Sequence, residues 1–578
     1  IQQERTNEFI RTFLRQYKEG GKLPIWELAA NYTGCMIGYH AIPVIADAYV
    51  KGIRDYDADL ALEAMVHSAM QDDLGLSWYK KNGFIAASDE PESVSKNLEY
   101  AYDDWCIALL ADSLGKEKIA TNFYQRGQYY KNLFDPSSGF FRAKKSHTWF
   151  APFKPEEVNF NYTEANAWQY SLFVPQDIEG HIELMGGAKN YEQHLDNMFN
   201  ASTETSGREQ PDVTGLIGQY AHGNEPSHHM AYLYNYVGKP HKTQKIVRQI
   251  LDEQYTHLPD GLSGNEDCGQ MSAWYVLSAM GFYSVTPGLD YYTIGTPLFE
   301  KATINLENGN AFTIVANNVS NDNIYIQSAN LNDEIFEHSF IKHSDIIKGG
   351  SLVFEMGSSP SNWASESIPL SSITKNEIVA VPYFVAESQT FTDRLIVKLG
   401  SAVGGDIYYS INDDKEKIYE APIVITTDAN ISCHIKKEGE WSKQVSANYY
   451  KTDNTKSIKI ESLYANQYAA AGDKTLIDHL RGGGNYRTGN WQGYREDLIA
   501  TINLGKEKEI STISLGCMQD IKSWIFFPKK VEYFSSINGK DFTFLGTINT
   551  TFPDSLEGSF VNDYTLKLTN TKAQYIKV

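Results

Sequence analysis

Cysteine is scarce in this chain. Five residues among 578 (Cys35, Cys106, Cys268, Cys433 and Cys517) follow no metal-ligand spacing and are odd in number, which argues against a cysteine-built metal module or a full disulfide framework. No run of 18 apolar residues exists, so no membrane-spanning helix is expected. The opening IQQERTNEFIRTFLRQY reads as an amphipathic helix, not as a leader peptide. Positive charge is also short: 51 Lys and Arg against 72 Asp and Glu give a formal net charge of -21. That argues against a nucleic-acid partner, whose phosphates need clustered cations. Low-complexity tracts and short-period repeats are missing as well. A start in mid-helix and an end on the strand-like AQYIKV make a longer parent polypeptide the expectation.

Aromatic residues are abundant at 13%, with 37 Tyr and 10 Trp. Sugar faces stack on such rings, although large β-domains also use Tyr heavily. The length suits roughly three or four domains. Residues 1–288 carry amphipathic helical stretches such as LEYAYDDWCIALLADSLG and KTQKIVRQILDEQY, separated by loops rich in Gly, Asn and aromatics. A toroid of helix pairs, with one ring of functional loops, is the expected architecture. Residues 289–374 switch to alternating strand patterns, read as a β-sandwich. A small β-unit over 375–451 and a last β-sandwich over 452–578 follow. The expected class is multidomain, α and β.

Three polar-aromatic clusters stand out: NFNYTEANAWQY, HGNEPSHH and GNEDCGQMSAWY. Each centres on a carboxylate, at Glu164, Glu225 and Asp267. Glycoside hydrolysis needs one protonated carboxyl beside the leaving oxygen and a second carboxylate that attacks or activates water. Glu164, among Tyr162, Trp168 and Tyr170, is the candidate acid, and Asp267 the candidate base. The plainer alternative makes both ordinary helix starts, with Thr163 capping ahead of Glu164. HGNEPSHH offers little for zinc, because His228 and His229 are adjacent and HExxH spacing is missing. A hard cation held by Glu225 and amide or backbone oxygens fits better, with the imidazoles bonding ligand hydroxyls. Trp26 and Glu27 in LPIWELAANYTG are candidates for a stacking wall, although Trp is more commonly a core anchor.

Residues 1 to about 370 resemble the catalytic region of glycoside hydrolase family 92, through LPIWELAANYTGCMIGYHAIPVIADAY, SVSKNLEYAYDDWCIA, NYTEANAWQYSLFVPQD, TGLIGQYAHGNEPSHH and GNEDCGQMSAWYVLSAMGFY. The resemblance implies an (α/α)6 barrel and exo-acting hydrolysis of terminal α-mannosides with inversion. It also implies a calcium ion (Ca2+) contacting the mannose O2 and O3. By motif position Glu164 falls at the acid and Asp267 at the base. Asn224 and Glu225 are the strongest calcium candidates, and Trp26, Glu27, His228, His229 and Asn265 the candidate substrate contacts. Residues 378–450 are similar to a chitobiase carboxy-terminal-type domain. Residues 457–578 resemble a discoidin or coagulation-factor type C domain, with Arg487, Trp491 and Tyr494 as possible glycan contacts. The implied partners are mannose-containing glycans. The implied setting is the secreted, periplasmic or cell-surface glycan degradation of a bacterium. The rival reading is a noncatalytic glycan-binding scaffold.

Overall fold

The computed structural model describes residues 2–452, 455–553 and 555–578; Ile1, Asp453, Asn454 and Asp554 lie outside the described residues. Helices come first: α1 (Gln3–Gly20), α2 (Ala41–Val50), α3 (Ala58–Ala69), α4 (Leu76–Asn82), α5 (Ser93–Ser113) and α6 (Glu117–Arg126). The α1 helix is one-sided, burying Ile10 and Leu14, and it stops at Gly21, whose φ of 77° suits a residue without a Cβ. By contrast α5 is buried on nearly every face, so its polar residues need partners. Asp104 takes a bond from Arg126 Nε at 2.8 Å, and Asp103 and Glu99 clasp His40 at 2.9 and 2.8 Å. The DDW motif is thus an internal ion-pair network of the helical region.

The second half of the helical region holds α7 (Ala167–Tyr170), α8 (Ile178–Leu184), α9 (Ala188–Asn200), α10 (Pro240–Glu253) and α11 (Gln270–Met280). Tyr191, Leu195, Met198, Tyr232 and Trp274 share its core. Here one expected helix differs: MAYLYNYV is a 3-10 segment, Met230–Val237. Its residues are buried all round and end at Gly238, so packing against α9 and α10 sets the tighter winding.

Beyond residue 288 strands take over. Lys301–Asn305, Ala311–Asn317, Gly350–Gly357, Tyr325–Leu331 and Glu334–Ile335 form one five-stranded sheet in that order, with the second and third strands parallel. Asn235 ties a separate three-stranded sheet (Phe282–Tyr283, Tyr291–Ile294 and Phe340–Lys342) to the helices by donating to the carbonyls of Ile294 and Ser339 at 2.8 and 3.1 Å.

The next β-unit is not free-standing. Its sheet runs Ile423–Ile425, Leu395–Gly400, Tyr383–Val385 and continues into Thr148–Trp149 and Lys144–Lys145 of the helical half, with Phe384 opposite Thr148. One core holds Val94, Leu98, Phe141 and Tyr170 together with Phe384, Val397, Ile431 and Tyr449. The last unit is a five-stranded antiparallel sheet dominated by Ala500–Asp520 and Ser559–Lys577. Register shifts at 503/508 and 510/512 bend this long ladder.

Candidate active site

Glu164 is not in a helix. The α7 helix begins at Ala167 and is capped by Asn166, whose side chain accepts from Gln169 N while Gln169 answers with the reciprocal bond. That displaces the expectation of Thr163 as cap. Glu164 stands ahead of the cap with φ at 52°, a left-handed conformation that costs a non-glycine residue about 1 kcal/mol or more. Thr163 N donates to Ser95 Oγ on α5 at 2.9 Å, and Asn224 Nδ2 donates to the Glu164 carbonyl at 3.2 Å. The loop is therefore held from two sides.

Asp267 shows the same departure. It lies before α11, whose N-cap is Gly269, and Asp267, Cys268 and Gly269 are all left-handed, at φ 46°, 56° and 96°. Three such residues in a row set Asp267 in a turn ahead of the helix, where it is exposed. Backbone strain of this kind collects where a side chain must be presented.

The loops carrying Glu225 and Asp267 pack glycine to glycine. A Cβ on Gly264 would stand 2.5 Å from the carbonyl oxygen of Gly223, and one on Gly223 would stand 2.0 Å from Thr214 Oγ1. Only glycines permit that approach. It brings the Glu225 and Asp267 loops together, and the Asp267 carboxylate acts on the Glu225 carboxyl. Burial, then the Asp267 contact and the charge of Glu164, push the Glu225 carboxyl up. Two facing carboxylates call for a shared proton or a cation. Among the described residues no three His, Cys, Asp or Glu side chains form a metal cage. A cation here would therefore draw on Asn224, Glu225, carbonyl and water oxygens, a donor set that suits calcium.

Glu164 itself is pushed up to about 7, first by burial and then by the charges of Asp212, Glu92 and Asp267, with Arg208 opposing. Asp212 and Glu92 were missed by sequence reasoning. Neither sits in an aromatic cluster, and tertiary packing alone brings them near. Asn265 Nδ2 approaches Asp212 Oδ1 at 3.5 Å, which sets Asn265 at this rim.

The structure turns the two histidines inward. His228 was expected to meet ligand hydroxyls, yet its Nε2 is spent on the His222 carbonyl at 2.9 Å and its Nδ1 faces Gln270 Nε2 at 3.1 Å. His229 Nε2 is spent on the Leu172 carbonyl at 2.8 Å. Both are buried, and burial holds both near pKa 4 and so neutral. They brace the Glu225 loop from within. Trp26 and Glu27 lie on the hairpin Glu27–Leu28 and Asn31–Tyr32. Among the described residues no hydrogen bond joins either to the carboxylate group.

Comparison with known proteins fits this geometry. The model of the glycosyl hydrolase family 92 catalytic domain matches residues 1–358. A solved family GH92 α-mannosidase from Bacteroides thetaiotaomicron, in complex with mannoimidazole, is 38% identical over 65% of this chain and 52% of that one, with a TM-score of 0.62. A family GH92 inverting mannosidase from the same organism is 38% identical over 64% and 53%, with a TM-score of 0.58. A curated relative from the fungus Arthroderma benhamiae, described as an uncharacterized secreted glycosidase, is 30% identical over 61% of this chain and 49% of its own. The chain spans about half the length of these relatives. Because they come from a fungus and a bacterium, they do not carry the expected bacterial source. The chain belongs to glycosyl hydrolase family 92.

Proposed function

We propose that this chain carries the catalytic machinery of an exo-acting α-mannosidase that works with inversion and with calcium. The observation that supports it most is the pairing of a buried carboxyl held near pKa 7, Glu164, with an exposed carboxylate, Asp267, each on a strained loop facing the same group. Unlike environments for two carboxyls divide acid from base. Glu164 holds the proton that goes to the glycosidic oxygen. Asp267, open to solvent, takes a proton from water attacking the opposite face of the sugar.

Asn224 and Glu225 would hold the cation, which when bound supplies charge that orients the sugar hydroxyls. Asn224 also fixes the Glu164 backbone, so the acid and the metal site share one support. A secreted setting fits the curated relative, and no described helix is long and apolar enough to cross a membrane.

Proton NMR of the full-length protein acting on a small α-mannoside with calcium present tests the reading. β-Mannose should appear first. Early α-mannose would overturn inversion, and glycan binding without mannose release would favour the scaffold reading. Chelation should abolish turnover, and full activity after metal stripping would remove calcium from the scheme.

A further inference from the structure

One group of loops of the last β-domain packs on the catalytic half instead of standing apart as a separate glycan binder would. Trp491 and Tyr494, expected as ligand contacts, hold their own loop: Trp491 Nε1 donates to the Gly483 carbonyl at 2.8 Å and Tyr494 Oη to Gln492 Oε1 at 2.6 Å. Their neighbours dock on the catalytic half. Tyr468 stacks on Phe160, with ring centres 5.7 Å apart and planes within 9°. Lys145 Nζ donates to the Gly489 carbonyl at 2.9 Å. Arg487 Nη1 stands 3.7 Å from Glu92 Oε1, at the head of α5.

These contacts fall on one side of Glu164. The Glu92 amide donates to the Phe160 carbonyl at 2.6 Å and the Val94 amide to the Asn161 carbonyl at 3.1 Å, four and three residues ahead of Glu164. The Glu164 loop is thus held by Asn224 on one side and by the head of α5, against which the carboxy-terminal domain docks, on the second. On that second side Arg208 lies over the Phe160 ring at 4.7 Å. The Arg487 side chain is 39% exposed, so its terminal N–H donors are open to a ligand. Hydroxyl oxygens of a sugar are suitable acceptors, and the flat Phe160–Tyr468 pair offers a ring edge to its apolar face.

We propose that the carboxy-terminal β-domain is the outer wall of the active site, with Arg487 and Tyr468 forming, beside Arg208, the subsite for the sugar on the leaving-group side. This rests on the mannosidase reading above. It makes the domain a determinant of substrate choice in the same catalytic event, where the sequence suggested an independent binding module.

The test compares the full-length chain with its Arg487→Ala and Tyr468→Ala variants on an α-linked mannobiose and on an aryl α-mannoside. The ratio of kcat/KM for the disaccharide to that for the aryl substrate should fall at least ~10-fold in each variant, mainly through KM, the size expected for a lost hydrogen bond or ring contact. An unchanged ratio in both variants, whether activity is kept or lost equally on the two substrates, overturns the subsite. Carbodiimide cross-linking of the wild-type chain tests the docking without any turnover. A Lys145–Asp478 link is expected, since these two charges attract across the interface. Lys242–Glu192, 2.8 Å apart within the helical half, is the internal control. The control link without the Lys145–Asp478 link overturns the wall. A wild-type chain that hydrolyses no α-mannoside but forms the Lys145–Asp478 link would refute the mannosidase reading and leave the docked wall supported.

Discussion

A carboxyl group held near pKa 7 sits at the midpoint of its titration in neutral solution, so small changes around Glu164 have large effects on how much of it carries a proton. It is protonated below that value, and hydrolysis of unactivated mannosides should decline as pH rises through about 7. A profile of kcat/KM that stays level well above neutrality would show that Glu164 is not the acid. Replacing Asp212 by Asn removes the largest charge that raises this pKa. The alkaline limb should then move to lower pH, and an unmoved limb would detach Asp212 from the site. Glu164→Gln should cost roughly 10²–10⁴-fold on substrates with poor leaving groups, and much less on activated aryl mannosides that need little protonation. Equal losses on both would count against the assignment.

At the scale of elements, the site is assembled by loops that borrow their shape from close packing. Gly223→Ala should push the Glu225 and Asp267 loops apart, with an overpacking cost of about 1–3 kcal/mol and a drop in kcat that exceeds what unfolding accounts for. Denaturant titration and kinetics on the same variant separate the two, and an unaltered kcat would mean the contact is incidental. Asn166→Ala should cost about 1 kcal/mol through the lost capping box.

These local details also mark what the sequence could reveal. The clusters around Glu164, Glu225 and Asp267 were legible because polar and aromatic residues interrupt apolar helical pattern. Their backbone state was not, since a left-handed φ at Glu164 or Asp267 is imposed by neighbours such as Asn224 and Ser95, far along the chain. The surroundings of the His228–His229 pair were hidden for a related reason, since each places one ring nitrogen on a backbone carbonyl, of His222 and of Leu172. Met230–Val237 carries the apolar character of a helix, and only its confinement between α9 and α10 winds it tighter. Asp212 gave no signal, because an isolated Asp in QPDV becomes a charge near Glu164 solely through folding.

For the whole molecule, the β-unit over 375–451 and the helical half are one packing unit. Phe384 is fully buried at the place where the sheet passes from one to the other. Phe384→Ala should cost about 3–5 kcal/mol. Because the core is common, unfolding followed by near-UV signal and by loss of activity should shift together. Two separated transitions would show that the units are independent. The shared core also restricts where this protein can be divided or recombined. A crossover at residue 375 would look harmless in the sequence, where one pattern of strands ends and another begins. It would strip Val94 and Leu98 of their neighbours and unsettle α5, whose first turn holds the Glu164 loop through the Ser95 hydroxyl. Such a module passes between genes only together with the helices it has grown against.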